Sequence, residues 1–350
     1  MSLLTEYDAT VIQSQQAVFL LPKITGGGGG GGAAYWAVNG GPTDVVQGDN
    51  LAGGYQCGRN SNGQGNFAAG SYSGNNISGF ANFALGISSG GNVTGTGNNV
   101  TGAGNYAFGV YAGNYVIGSG NVAIGFEAGT NVTGSSNTCL GDKSGVNISG
   151  IWNIGLGRDA GGIIVGQNNA ALGISCGRSI VGESNVAIGN ESGTYISGSN
   201  NWAGGAFAGQ YITGSNNWAG GKSAGQYVNG WENIALGVGA GVTVAGFGNV
   251  ALGYGSGQGI TGNNNFCAGN LAGVNLTGSN NVLLGVSAGY NLDITNTFVV
   301  SCPNLKIGIT GGNIGFCDAP LNPRASVTNG SDITYVVGIL AQLGLVISVP

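Results

Sequence analysis

The sequence predicts an all-β chain wound as a β-solenoid, or β-roll, of 16-residue coils. Three observations predict it: a motif of the form Asn-x-Ala-x-Gly returns every 16 residues, glycines keep fixed places in each repeat, and one further place is Ile or Val almost throughout. A fixed period of this kind marks stacked units, each of which buries its apolar side only against its neighbours. Glycine makes up 76 of the 350 residues, but with six prolines and no three-residue period collagen is excluded. Only 6% of the chain is charged and 42% is hydrophobic, the reverse of a disordered composition.

Residues 1–64 do not repeat. The stretch 1–25 reads as an N-terminal attachment segment; its apolar run at 17–21 is too short for a signal sequence and follows Glu6 and Asp8 rather than basic residues. Seven glycines at 26–32 read as a flexible tether. No Gly-Lys-Ser/Thr follows them, so they are not a phosphate-binding loop. Residues 33–64 form a non-repeat lead-in.

The repeat occupies 65–297 in about fourteen units. With the motif asparagine as place 1, units start at Asn66 and Asn82, then at Asn105, Asn121, Asn137, Asn153, Asn169, Asn185, Asn201, Asn217, Asn233, Asn249, Asn265 and Asn281. The step from Asn82 to Asn105 is seven residues too long, and the surplus shows as a doubled turn, Asn92-Val-Thr-Gly95 and Asn99-Val-Thr-Gly102. Glycine recurs at places 5, 9 and 14, as in Gly125, Gly129 and Gly134, and the last unit has Ile294 instead. Place 12 runs Ile77, Val93, Val116, Val132 and onward to Leu276. Each unit therefore reads as two very short strands and two glycine corners. A helix carrying three glycines per unit would lose about 3 kcal/mol relative to alanine.

Small residues at places 3 and 8, such as Ala123 and Ala128, are expected in a tight lumen; larger ones at places 2 and 4, such as Val122 and Ile124, make another apolar face. A coil this narrow cannot bury both, which predicts an intertwined or laterally packed homotrimer. The place-1 asparagines from Asn105 to Asn281 are expected to form a structural amide ladder.

Cys139 and Cys267 at place 3 and Cys176 at place 8 stand where other units have Ala or Ser, and read as small buried hydrophobes. They lie several coils apart in a chain without histidine, so no metal site is expected. Cys57, Cys302 and Cys317 lie outside the repeat, and no local signature pairs Cys302 with Cys317. Asn-x-Ser/Thr sequons, most of them at place 11, read as turn chemistry. Place 11 also holds Tyr115, Tyr195, Tyr211 and Tyr227. These are either cross-coil packing or a platform for sugar rings, which makes Tyr195, Tyr211 and Tyr227 the candidate glycan contacts.

Residues 298–350 read as a small C-terminal trimerisation or tip domain. Ser331-Asp332 caps a short helix whose Tyr335, Val336, Ile339, Leu340 and Leu343 keep helical spacing, with Gly344 as its stop. Three copies around an axis would bury that face.

Without histidine the chain lacks the commonest general acid–base and triad residue; no enzyme activity and no cofactor are expected. A net charge of −5 offers no footprint for nucleic acid, and no apolar stretch of membrane-spanning length occurs.

The repeat Asn121-Val-Ala-Ile-Gly125, with Ala128-Gly129 and Val132-Thr-Gly134, resembles the asparagine- and glycine-rich β-rolls of phage tail fibres and of trimeric autotransporter adhesin heads. The tail, with Ile314-Gly-Phe316, Pro323-Arg324 and Leu343-Gly-Leu-Val346, is similar to the C-terminal segment of phage and large-virus fibres, although Cys317 replaces the usual aromatic. The resemblance implies a homotrimeric fibre on the virion surface, joined through its N-terminus to a capsid or tail protein and able to contact a host-surface glycan. A bacterial cell-surface adhesin is the alternative, weakened by the lack of a neck coiled coil and membrane anchor. An ice-binding solenoid would need a regular Thr column, which place 13 does not supply.

Overall fold

The computed structural model describes residues 51–59, 64–90, 100–302, 305–310 and 313–316. The predicted attachment segment, glycine tether and C-terminal helix, including Tyr335, Val336, Ile339, Leu340 and Leu343, lie outside them, as does Cys317. The chain divides into two compact units, Met1–Asn201 and Trp202–Pro350.

The described part is a β-solenoid without helix. In the first unit, places 2–4 of each coil form a short strand of one parallel sheet, here called sheet 1. Val122 pairs with Thr138, Thr138 with Ile154, Ile154 with Ala170 and Ala170 with Val186, each step one repeat long. Places 12 and 13, joined by place 11 in some coils, build sheet 2, where Val132 pairs with Ile148, Ile148 with Ile164 and Ile164 with Ile180. The second unit repeats both sheets: Trp202, Trp218, Ile234, Val250, Phe266 and Val282 stack in register in sheet 1, and Tyr211 with Tyr227 in sheet 2.

The solenoid exceeds the predicted repeat at both ends. Leu51–Gly53 pairs in parallel with Phe67–Ala69, adding a coil inside the expected lead-in. Its signal was present, since Asn50-Leu-Ala-Gly-Gly54 fits the motif 16 residues before Asn66. At the other end Thr297–Cys302 adds a further parallel strand on Val282–Gly285. The chain then reverses: Leu305–Thr310 and Asn313–Phe316 follow antiparallel, so the sheet no longer presents the solenoid's own parallel pattern at that edge. The seven-residue surplus is also resolved, because Ile77 pairs with Val100. Val100, rather than the expected Val93, holds place 12 of that coil, and the first copy of the doubled turn lies outside the described residues.

The lumen is filled by small and β-branched side chains. Ala128, Ala160, Ala171, Ile164 and Ile180 are fully buried in the first unit, as are Ala203, Ala208, Ala224, Ala240 and Cys267 in the second. The glycine at place 9 answers to this narrowness: a Cβ on Gly129 would sit 2.6 Å from the Cβ of Ala123, and its φ is +59°. At place 5 the neighbour is the next coil, where a Cβ on Gly141 would meet the Gly157 carbonyl oxygen at 2.6 Å.

Further left-handed positions recur that glycine did not mark, among them place 11 in several coils, as at Asn131 and Asn147. Place 7 (Glu127, Lys143, Asp159) and place 16 (Ser136, Trp152, Asn168) have φ between +52° and +58°. That conformation is uncommon without glycine, so the coil imposes it.

Candidate functional site

Three side-chain systems differ in what folding has already consumed: the lumen ladder and the two outward faces. Within each unit the ladder amides bond to one another. Asn153 Nδ2 donates to Asn137 Oδ1 at 3.0 Å and to the Gly166 carbonyl at 2.9 Å, while its Oδ1 accepts the backbone N–H and Nδ2 of Asn169, both at 3.1 Å. The same pattern holds in the first unit for Asn105, Asn121, Asn137, Asn169 and Asn185, and Asn201 donates to Asn185 Oδ1. In the second unit Asn233, Asn249, Asn265 and Asn281 repeat it, and Asn217 donates to the Gly230 carbonyl. The chain closes this column with a backbone donor, Thr297 N–H, on Asn281 Oδ1. These amides are buried, and every group that leaves water finds a partner.

A second inward column uses serine. Ser144 Oγ donates to the Gly155 carbonyl at 2.6 Å, and Ser256 Oγ to the Cys267 carbonyl at 2.8 Å. Where place 3 or 8 carries cysteine instead, burial pushes the thiol up: Cys139 and Cys267 to about 12, Cys57 and Cys176 to about 11. Each of the four is a free, buried thiol, far from the thiolate state that nucleophilic or metal chemistry requires near neutral pH.

The outward face of sheet 1 is apolar. In the first unit its members include Ile124, Leu156 and Ile188, exposed by 43, 41 and 42%. Between Phe67 and Ile188, Thr138 is the single polar residue at places 2 and 4 among the described coils. Phe67 and Phe83 stack at 4.5 Å, and Phe83 on Phe108 at 5.0 Å. The second unit continues the composition with Trp218, Phe266, Val282 and Phe298 exposed, and Trp202 packs edge-on against Trp218 at 5.3 Å.

The outward face of sheet 2 is mostly polar and aromatic, with an aliphatic stretch in the first unit where Ile163, Val165 and Val181 are exposed. Asn131 and Asn147 are exposed and joined Nδ2 to Oδ1 at 3.0 Å, with Thr133 and Ser149 beside them. Tyr195 is exposed in the first unit, and Tyr211 and Tyr227 in the second. The rings of Tyr211 and Tyr227 lie parallel within 4° at 5.1 Å, so each gives one face to the other. That arrangement fits the cross-coil packing reading.

A fourth feature escaped the sequence reading. Six charged residues fall between 127 and 178, a concentration in a chain with 21 in all. Four of them, Glu127, Lys143, Asp159 and Arg178, line a groove of about 520 Å³ at the corner between the two sheets of the first unit, with Val146, Gly162, Ile163 and Ser175. A scan of charge against repeat place would have found them.

Comparison with protein-family models, curated proteins and solved structures finds no match to this chain.

Proposed function

We propose that the chain is the structural fibre or spike protein of a virus particle, a homotrimer attached through its N-terminal region and presenting its coils and C-terminal region to the host surface. The observation that carries this reading is the apolar face of sheet 1, broken in the first unit by Thr138 alone among its described coils. Soluble monomers rarely leave a contiguous apolar strip of this extent in water. A coil contributes a strip about 4.8 Å high and about 10 Å wide. Its burial against another copy is worth about 1 kcal/mol per coil at roughly 25 cal/mol per Å². Repeated over many coils, that gain favours a long lateral interface over any local one. Three copies, rather than two, follow the resemblance of the repeat and tail to trimeric fibres, as do the particle attachment and the host contact.

The face of sheet 2 suits the outside of such an assembly. Its asparagines, threonines and serines give solubility to a chain with few charges, and their mutual bonds keep the face regular. Cryo-electron microscopy of purified particles with antibody to this chain tests the assignment. Labelled projections on the particle are expected; recovery of the chain only from particle-free fractions contradicts it.

A further inference from the structure

The corner groove of the first unit is a site that the fibre reading does not use. Place 10 forms a column there, Val146, Gly162 and Arg178 in three successive coils, and the groove opens where Gly162 has no side chain. Nothing in the backbone demands glycine at that point. A Cβ on Gly162 would meet its nearest atom, the Arg178 carbonyl oxygen, at 3.4 Å, an ordinary contact, and its φ is not in the left-handed region. Other coils of the same unit carry threonine at place 10: Thr130 and Thr194 each donate to the carbonyl three residues back, at 2.9 Å. The gap therefore contributes space rather than conformation.

The walls of that space have a definite chemistry. Lys143 pairs with Glu127 at 3.9 Å and Arg158 with Asp159 at 3.5 Å. Arg178 is exposed and has no ion-pair partner among the described residues. A guanidinium offers a planar fork that matches a carboxylate bidentately. Glu127 and Asp159 are acceptors suited to hydroxyls, and Val146 and Ile163 supply apolar surface on the same wall. The volume lies within the range of small-molecule sites.

We infer that this groove binds a terminal acidic sugar bearing an acetamido group, with its carboxylate on Arg178, its hydroxyls on Glu127 and Asp159, and its acetamido methyl against Val146 and Ile163. The site deepens the host-contact part of the proposed function but not the trimer, which is measured separately. Its position on a corner leaves it clear of the apolar face of sheet 1, with Ile163 at its border with sheet 2.

Saturation-transfer NMR on the full chain with sialyllactose, and with lactose as the uncharged control, tests the inference. Transfer to the acetamido methyl is expected for sialyllactose and none for lactose. Arg178→Ala should raise Kd by on the order of tenfold, the worth of a lost charge-assisted contact. Gly162→Thr, which installs the side chain that Thr130 and Thr194 already carry, should abolish transfer while far-UV circular dichroism and native mass stay unchanged. Equal transfer from lactose, or undiminished transfer in Gly162→Thr, overturns the site. A change in native mass in Gly162→Thr also overturns it, by making the groove an interface between copies.

Discussion

Sheets 1 and 2 belong to the same coils and share one lumen, yet their outer faces differ: sheet 1 is apolar, and sheet 2 is largely polar apart from Ile163, Val165 and Val181. In the first unit Ile124, Leu156 and Ile188 point outward from sheet 1, while Asn131, Thr133, Asn147 and Ser149 point outward from sheet 2. Since both faces rest on the same inward columns, the difference does not come from folding a single coil. Inward places are fixed by the width of the lumen and by backbone approach between coils, as at Gly129 and Gly141. Outward places are free of those demands, and their chemistry reports what each face meets. The assembly proposed above would cover the apolar face of sheet 1 with protein and leave most of the face of sheet 2 to solvent.

The asparagine columns allow the inward and outward demands to be separated with one residue type. Asn153 and Asn147 both form amide bonds along the coil axis, but Asn153 is buried and Asn147 exposed. Replacing Asn153 by alanine strips the donors and acceptor from its neighbours inside the lumen, and a loss of about 3 kcal/mol in chemical denaturation is expected, because buried partners are left unsatisfied. The same change at Asn147 should cost less than about 0.5 kcal/mol, since water replaces the partner. Equal losses would show that the columns differ in address only.

A smaller effect follows from the lumen thiols. Their folded pKa values, about 11 to 12, lie above the ordinary value of 9.0, so the folded state holds protons that the unfolded state releases. The contribution is fully present below pH 9 and is lost as pH rises from 9 toward 12. The thiol contribution to the thermal midpoint should be constant between pH 6 and 8 and fall above pH 9. The fall should be smaller in Cys139→Ala, the residue most units already have at place 3. An unchanged alkaline slope in that variant would remove the thiol from the account.

Much of this fold was legible because its strongest constraint is periodic. The 16-residue step, the corner glycines and the Ile/Val column each repeat often enough to stand out, and the structure places them at strand register, close backbone approach and lumen. The left-handed residues at places 7 and 16 were not legible, because Glu127, Lys143, Ser136 and Trp152 share a conformation without sharing a chemistry. The extra coil at Leu51–Gly53 was missed although its motif is intact, and the coil on Thr297–Cys302 replaces the ladder asparagine with Thr297. In the doubled turn, two identical Asn-Val-Thr-Gly runs compete for one place, and only strand pairing distinguishes Val100 from Val93. The corner groove has no period at all, since place 10, which lines it, varies from coil to coil.

The most direct test of the central claim, that the outer face of sheet 1 is covered by other copies of the chain, is native mass spectrometry of the full protein beside two variants. One carries Ile124→Glu and Leu156→Glu on sheet 1; the other carries Thr133→Glu on sheet 2. The account predicts three chains for the unaltered protein and for Thr133→Glu, and single folded chains for the sheet 1 variant. A single chain for the unaltered protein, or a trimer indifferent to glutamates on sheet 1, would contradict it.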